Sequence, residues 1–369
     1  MKIALLGAGH IGHTIAHLLV NSGDYTLTVI DQSQASIDKL AHLNIKTAIV
    51  DTNDANALEN TIKGHDAVIN ALPYHLALKI ATAAKNAGCH YFDLTEDVAA
   101  TKAIMGLANE GKGAKTAFMP QCGLAPGFIG IVAHHLAQGF DSLDEIKMRV
   151  GALPAFPTNA LKYNLTWSVD GLINEYCHPC EAIHEGAITA MLPLEGLEHF
   201  SLDGVEYEAF NTSGGLGTLC ETLDGKVRSL DYKSVRYPGH RALMQFLLSD
   251  LRLSNDQEAL KDILRKSVPT TMQDVVLVFV TVSGMRNGAY VQEVFARKIF
   301  AQRAKGSDEA VSAIQITTAA GICAAVDLFR AGKLPTSGFI RQEQVALSDF
   351  LANRFGIAYE QSRRIESIS

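Results

Sequence analysis

Through the first third of the chain, short apolar runs of strand length alternate with stretches of helical periodicity. Lys2-Ile3-Ala4-Leu5-Leu6 enters Gly7-Ala8-Gly9-His10-Ile11-Gly12, and a helical pattern then runs to about Asn21-Ser22-Gly23. A second apolar run, Tyr25 to Ile30, stops at Asp31. The alternation continues with a strand at Ile45 to Val50, a helix at Ala55 to Lys63 and a strand at Asp66 to Ala71. A helix at Tyr74 to Ala87, a strand at His90 to Asp93, a helix at Val98 to Lys112 and a strand at Thr116 to Met119 complete it. Strands alternating with helices of this length predict a parallel sheet with helices on both faces. Ligands bind such sheets beyond the carboxyl ends of the strands, so Asp51, Asn70 to Tyr74, Asp93 to Glu96 and Gln121 to Gly127 are expected to rim one crevice.

Past Phe140 the pattern changes. Strands are predicted at Glu145 to Leu153, Ala187 to Met191, Tyr207 to Asn211, Ser229 to Arg236, Val275 to Ser283 and Tyr290 to Phe300. The last two are joined through Asn287-Gly288, a strong hairpin signal. Helices are expected between these strands only at His240 to Leu251 and Asp256 to Arg265, and an apolar helix from Ile316 to Arg330 should carry the chain back to the first domain. The fold class is therefore α/β: a Rossmann doubly wound parallel sheet plus a second α+β domain with a mixed or antiparallel sheet. The expected segments are 1–122, 123–315 and 316–369.

The glycine loop fixes the first chemistry. Gly7 permits the tight turn, Gly9 lets backbone N–H groups approach a pyrophosphate, and Gly12 lets the helix pack close to the strand. With His10 and Ile11 it opens a helix whose N-terminus favours phosphate. Asp31 stands nineteen residues beyond Gly12, at the tip of the next strand, where it can accept from ribose hydroxyls. A carboxylate there repels a 2′-phosphate and no arginine follows it, so NAD is expected over NADP. Asp51 is a candidate for the adenine or a plain strand-end cap. Asn70, Ala71, Leu72 and Pro73 are expected along the ribose nearest the nicotinamide, mainly through their backbone.

Composition narrows the class. Apolar residues make up 47% and charged residues 19%, as in globular enzymes. A formal charge of −7 without a basic cluster offers no footprint for nucleic acid or an anionic membrane. The most apolar run, Val275 to Val282, is strand-length, and no leader is recognised at the N-terminus, so a cytoplasmic protein is expected. The six cysteines fit free thiols there, and Cys177-His178-Pro179-Cys180 is a lone pair without the partners that a zinc site needs, so no metal is expected.

Several stretches together resemble the saccharopine dehydrogenase family, and within it the lysine 6-dehydrogenases. They are the glycine loop, Val68 to Leu72, Cys122 to Gly127, Trp167 to Tyr176, Glu208 to Gly215, Tyr232 to His240 and the Thr317-Thr318-Ala319 helix. The resemblance implies oxidation of an amino-acid C–N bond by NAD(P), with hydride passing to the nicotinamide and water hydrolysing the imine. Where glutamate-forming members carry an arginine beside the Ser168 position, this chain has Val169-Asp170. Losing a cation and gaining an anion favours lysine over the tricarboxylate saccharopine. Gln121-Cys122-Gly123-Leu124 is closer to the saccharopine pattern, so a glutamate-forming saccharopine dehydrogenase and a carboxyspermidine-type dehydrogenase stand as alternatives, with an NAD-binding regulator outside the enzymes.

Deprotonating the amine and activating water call for a base, and His240, Asp170 and Asp93 are the candidates. His240 could equally be a packed neighbour of a helix start. Asp93 with Glu96 could hold a substrate ammonium, or Thr95 and Glu96 could cap a helix. Arg236 and the helix start at Cys122, Gly123, Leu124 and Gly127 are candidates for a substrate carboxylate. Tyr163 and Asn164, beside Lys162, are expected to face the substrate, and Thr212-Ser213-Gly214-Gly215 either covers it or is a turn. The expected assembly is a homodimer.

Overall fold

The computed structural model describes residues 1–110, 115–303 and 310–360. The chain divides into two units, Met1–Phe128 with Gln315–Ala358, and Ile129–Ile314 with Tyr359.

In the first unit the elements follow the predicted alternation, with one short helix, α2, that was not expected: β1 (Lys2–Leu6), α1 (His10–Ser22), β2 (Thr26–Asp31), α2 (Gln34–Asp38), β3 (Lys46–Ile49), α3 (Ala55–Ile62), β4 (Ala67–Asn70), α4 (Ala77–Ala87), β5 (His90–Asp93), α5 (Val98–Asn109) and β6 (Ala117–Met119). The predicted end of α5 at Lys112 lies outside the described residues. Ile3 to Leu6 and Ala67 to Asn70 are buried throughout, the unbroken apolar pattern of strands covered on both faces. Side chains set the helix starts: Ser33, Asp54 and Asp97 accept from the backbone N–H groups of Ser36, Ala57 and Ala100. The cap of α5 is thus Asp97, not Thr95 or Glu96.

All neighbouring strands of this sheet are parallel, in the order β17-β6-β5-β4-β1-β2-β3, where β17 is Gly338–Phe339 from the C-terminal segment. Chain order reverses between β1 and β4, so their carboxyl ends splay apart and open the crevice of a doubly wound sheet.

The second unit starts along α6 (Phe128–Ala137), which leads to β7 (Ser142–Pro154), α7 (Val169–Cys177), β8 (Cys180–His184), β9 (Ala187–Met191), β10 (Glu198–Leu202), β11 (Val205–Asn211), α8 (Leu219–Leu223) and β12 (Val227–Arg236). It continues with α9 (His240–Gln245), α10 (Gln257–Ser267), β13 (Asp274–Arg286) and β14 (Ala289–Phe300). The main ladder is β10-β11-β12-β7-β13-β14; β7 pairs parallel to β12 and antiparallel to β13, which makes the sheet mixed. Arg286 faces Ala289 across Asn287-Gly288, both at positive φ, the geometry of a two-residue hairpin turn.

The sequence reading missed α7, α8, β8 and β10. Helix α7 is short, and its start depends on the Ser168 hydroxyl accepting from Gly171. The predicted helix from His240 to Leu251 is α9 followed by a π turn at Phe246–Asp250. Two short strands, β15 (Gln302–Arg303) and β16 (Ala310–Val311), precede α11 (Ala313–Arg330). Helix α11 starts earlier than expected because the buried Asp274 carboxylate accepts from the N–H groups of Ala313 and Ile314. By length and apolar composition alone α11 could cross a membrane, which the sequence reading did not anticipate, but 78% of it is buried inside the protein. The remaining helix is α12 (Leu347–Ala352).

Candidate functional site

At the reversal point the glycine loop is shaped by contacts that no other residue tolerates. Gly7 has φ +100°, and a Cβ on it would come within 2.9 Å of the Ala71 carbonyl oxygen. A Cβ on Gly12 would lie 1.9 Å from the Gly7 oxygen, so α1 crosses its own loop at backbone contact. Gly9 is different: a Cβ there would meet nothing within 4 Å. Nothing in the fold itself requires a glycine at that point, and the open space in front of it suits a ligand that approaches the backbone. No side chain caps α1, so its first N–H groups are left to such a ligand. A pyrophosphate fits this cradle.

Asp31 stands where the sequence placed it. Its carboxylate accepts from Ala8 N at 2.7 Å and Ser33 N at 2.8 Å, joining the loop to the tip of β2. Asp51 is exposed and its Oδ1 accepts from Asn53 N, as a strand-end cap does. Asn70 is buried: Oδ1 accepts from Leu72 N and Nδ2 donates to the Tyr91 hydroxyl, so it shapes the turn at Ala71, Leu72 and Pro73.

The same network accounts for Asp93. Tyr91 donates to its Oδ2 at 2.8 Å, while Thr95 N and Gln121 N donate to its Oδ1. The carboxyl group is fully buried, and burial raises its pKa to about 6 although these three hydrogen bonds pull it down. Asp93 is therefore a rim-setting group, not the exposed base or ammonium partner expected. It pins the turn after β6, where Gln121 has φ +65°. That turn closes on itself. Gly123 O accepts from Phe128 N, and a Cβ on Gly127 would lie 2.2 Å from the Gly123 oxygen. Cys122 is buried with its thiol donating to Met119 O, and burial pushes that thiol far above its ordinary range; Leu124 is buried too. The candidates Cys122, Gly123, Leu124 and Gly127 thus serve the turn's shape.

The second unit carries a different polar cluster. Arg236, the last residue of β12, is 3% exposed. Its Nε donates to the Tyr176 hydroxyl at 2.9 Å and Nη1 to Val235 O at 2.8 Å. The guanidinium carbon lies 5.3 Å from the Tyr163 ring centroid and 5.8 Å from that of Tyr176. No carboxylate among the described residues forms an ion pair with it. Asn164 Oδ1 and Asn174 Oδ1, on the segments that carry the two tyrosines, are buried without a hydrogen-bond partner among the described residues.

His240, the first residue of α9, is fully buried between Leu161 O, 3.0 Å from Nδ1, and the Tyr176 hydroxyl, 3.1 Å from Nε2. Burial, then the Arg236 charge, push its pKa down to about 3, so the ring is neutral. Both nitrogens are engaged, which removes it as an open base. Asp170 is corrected likewise. Lys261 and Arg265 of α10 hold its two oxygens at 2.9 and 3.0 Å. Burial opposes ionisation there, but those two cations outweigh it and keep the carboxyl below its ordinary value. Thr212 is buried with its hydroxyl on Ser234, and a Cβ on Gly215 would lie 2.3 Å from the Tyr232 ring, so this stretch is a packed turn. Tyr176 is the group that sequence reasoning did not single out; its only signal was its place in the Trp167 to Tyr176 stretch.

Residues 3–119 match the family model described as the saccharopine dehydrogenase NADP binding domain, and residues 123–355 match the saccharopine dehydrogenase C-terminal domain. The first match makes a nicotinamide dinucleotide the cofactor class. A saccharopine dehydrogenase (NADP(+), L-glutamate-forming) from Pyricularia oryzae is 28% identical over 282 residues, 73% of this chain and 61% of that protein. The chain therefore spans about three fifths of the length of that curated relative. The apo saccharopine dehydrogenase (L-Glu forming) of Saccharomyces cerevisiae matches with a TM-score of 0.74 at 17% identity, over 94% of this chain and 95% of that one, which shows a shared fold.

Gly9→Ala is expected to leave the melting temperature unchanged and to weaken dinucleotide binding at least roughly ten-fold, read by titration calorimetry. Gly12→Ala is expected to lower the melting temperature sharply, because helix and loop must separate.

Asp93 supplies a pH test. The unfolded chain releases this proton near 3.9 and the folded chain near 6, so between those values the folded state binds more protons. Stability against urea should therefore fall as pH rises from about 4 to about 6, by roughly 2–3 kcal/mol for this group. Asp93→Asn should remove that part of the slope.

Proposed function

Because the chain belongs to the saccharopine dehydrogenase family, we propose that it oxidises the C–N bond of a carboxylate-bearing amine with a nicotinamide dinucleotide. The observation that carries this reading is Arg236, a buried cation whose hydrogen bonds among the described residues go to a hydroxyl and a carbonyl and not to a carboxylate, the buried Glu175 acting on it through its charge. A buried guanidinium left unpaired is costly, and a substrate carboxylate is the ligand that relieves it.

Within the family the preferred reading is the glutamate-forming cleavage of saccharopine, the activity that names the Pyricularia oryzae relative. The sequence favoured lysine 6-dehydrogenase, on the ground that Asp170 faces the substrate. Its pairing with Lys261 and Arg265 takes that ground away. Val169-Asp170 in place of an arginine still favours a substrate with fewer carboxylates, and lysine is the second reading. In both, hydride leaves the carbon that was C6 of lysine, the imine is hydrolysed to the same aldehyde, and only the released amine differs: glutamate or ammonia.

A nicotinamide dinucleotide, when bound, would supply the hydride acceptor. The chain's own residues supply the rest. Gly9 and the start of α1 hold the pyrophosphate, Asp31 the adenosine ribose, and the backbone from Ala71 to Pro73 the second ribose. Arg236 holds a substrate carboxylate while Tyr163 and Tyr176 keep water from it. The three base candidates, His240, Asp170 and Asp93, are each held by other partners.

We expect a cytoplasmic homodimer: all six cysteines are free thiols, and β14 is an edge strand with Tyr290 and Val294 exposed.

Purified protein given L-saccharopine or L-lysine with NAD or NADP should reduce the nicotinamide, with glutamate appearing from saccharopine. Ammonia from lysine alone would establish the second reading, and no turnover of either would reject both. Arg236→Met should lower kcat/KM roughly 100-fold, as loss of a buried charge-assisted pair implies.

Cofactor choice is tested separately. Asp31 should make NAD the better cofactor, and Asp31→Asn should raise the NADP to NAD ratio of kcat/KM at least roughly ten-fold. An unchanged ratio would show that another residue reads the 2′ position.

A further inference from the structure

Two arginines of the second unit's sheet are buried to nearly the same degree, and they are satisfied in opposite ways. Arg149, on β7, is 1% exposed, and its guanidinium is met by Glu198 and Asp231, with Lys233 sharing the same acids. That is a closed structural ion network. Arg236, at the end of β12 next door, makes no such direct ion pair among the described residues, and Glu175 acts on it only through its charge: one hydroxyl on Nε, one carbonyl on Nη1, and no hydrogen bond on Nη2 among the described residues.

The groups that hold Arg236 have one possible proton order. Leu161 O can only accept, so Nδ1 of His240 carries the proton. Nε2 of the neutral ring then accepts from the Tyr176 hydroxyl. The Tyr176 oxygen is left with lone pairs, and Arg236, which can only donate, uses one. Both ends of the chain Arg236–Tyr176–His240–Leu161 are fixed by chemistry, so the hydroxyl cannot turn away. With Nε occupied, the side-on edge of the guanidinium is closed, and the end-on edge at Nη2 is the one left open.

We propose that Tyr176 is the positioning residue of a carboxylate subsite: held by neutral His240, it fixes Nε of Arg236 so that Nη2 and the remaining Nη1 proton meet a ligand carboxylate. The proposal rests on the dehydrogenase reading for the identity of the natural ligand and not for the existence of the subsite. Tyr176 also packs edge-on against Phe210, with ring centroids 5.6 Å apart, a contact that phenylalanine would keep. Tyr176→Phe therefore keeps the ring packing and removes the hydroxyl that His240 Nε2 and Arg236 Nε share.

The test uses the full chain saturated with NAD, and glutarate as the probe, with binding read by calorimetry and melting temperature read in parallel. Tyr176→Phe should weaken glutarate roughly ten-fold or more, the loss of one hydrogen bond to a charged group, while remaining folded with a lowered melting temperature because His240 Nε2 and Arg236 Nε lose their partner. With a turned-over substrate the same variant should raise KM and leave kcat within about two-fold, as loss of a pure binding contact implies. His240→Gln, which keeps an acceptor for the hydroxyl, should retain glutarate binding, and His240→Leu should lose it. This second pair decides the matter if Tyr176→Phe fails to fold. Equal glutarate affinity in Tyr176→Phe and the parent, or in His240→Gln and His240→Leu, would overturn the positioning role. Glutarate binding indifferent to Arg236→Met would overturn the subsite itself. Arg236- and Tyr176-dependent glutarate binding without turnover of any amine would keep the subsite and reject the dehydrogenase reading alone.

Discussion

A polar group taken out of water must meet a partner, and that requirement orders both units of this protein. Asp93, Asn70 and Asp274 are buried and fully met: by turns, by a tyrosine, by the first N–H groups of α11. Each acts as a pin that fixes backbone. Arg236, Asn164 and Asn174 are buried and incompletely met. The contrast separates groups that hold the fold from groups that await a ligand more sharply than residue type does. Aspartate and histidine are the residues one would choose as catalysts, yet here they are the pins.

In the first unit the controlling contact is backbone on backbone. The helix after β1 passes so close to its own loop that a methyl group at Gly12 would overlap the Gly7 oxygen. That closeness brings the uncapped start of α1 to the point where β1 and β4 diverge. Asp31 is held there by two backbone N–H groups, and the Asn70–Tyr91–Asp93 chain ties the ends of β4 and β5 to the turn after β6. The acidic side chains at the crevice rim are thus each held in place by backbone N–H groups.

In the second unit electrostatics work through exclusion. Tyr163, Tyr176 and Phe210 belong to an apolar cluster that surrounds His240 and Arg236. Inside it a histidine stays neutral and an arginine stays charged, because the one can lose its proton and the other cannot. Glu175, also buried, acts on that arginine through its charge, while the open edge of the guanidinium suits a carboxylate and not an amine. The acid at Asp170 is spent on Lys261 and Arg265.

The amino-acid sequence by itself determined the parallel alternation, the glycine loop with Asp31 in register, the Asn287-Gly288 hairpin and the family. These are written in local periodicity, turn chemistry and short stretches whose meaning does not depend on distant residues. It could not reveal β10, whose polar alternation looks like loop, nor α7, whose start rests on one capping serine. It named His240, Asp93 and Asp170 as candidate bases, since each reads as a catalyst until its neighbours are known. Those neighbours are far along the chain: Leu161 for His240, Gln121 for Asp93, Lys261 and Arg265 for Asp170. Whether a titratable group is a base, a pin or an ion-pair member is set by desolvation and by the partner that folding brings to it, and only the tertiary structure decides that.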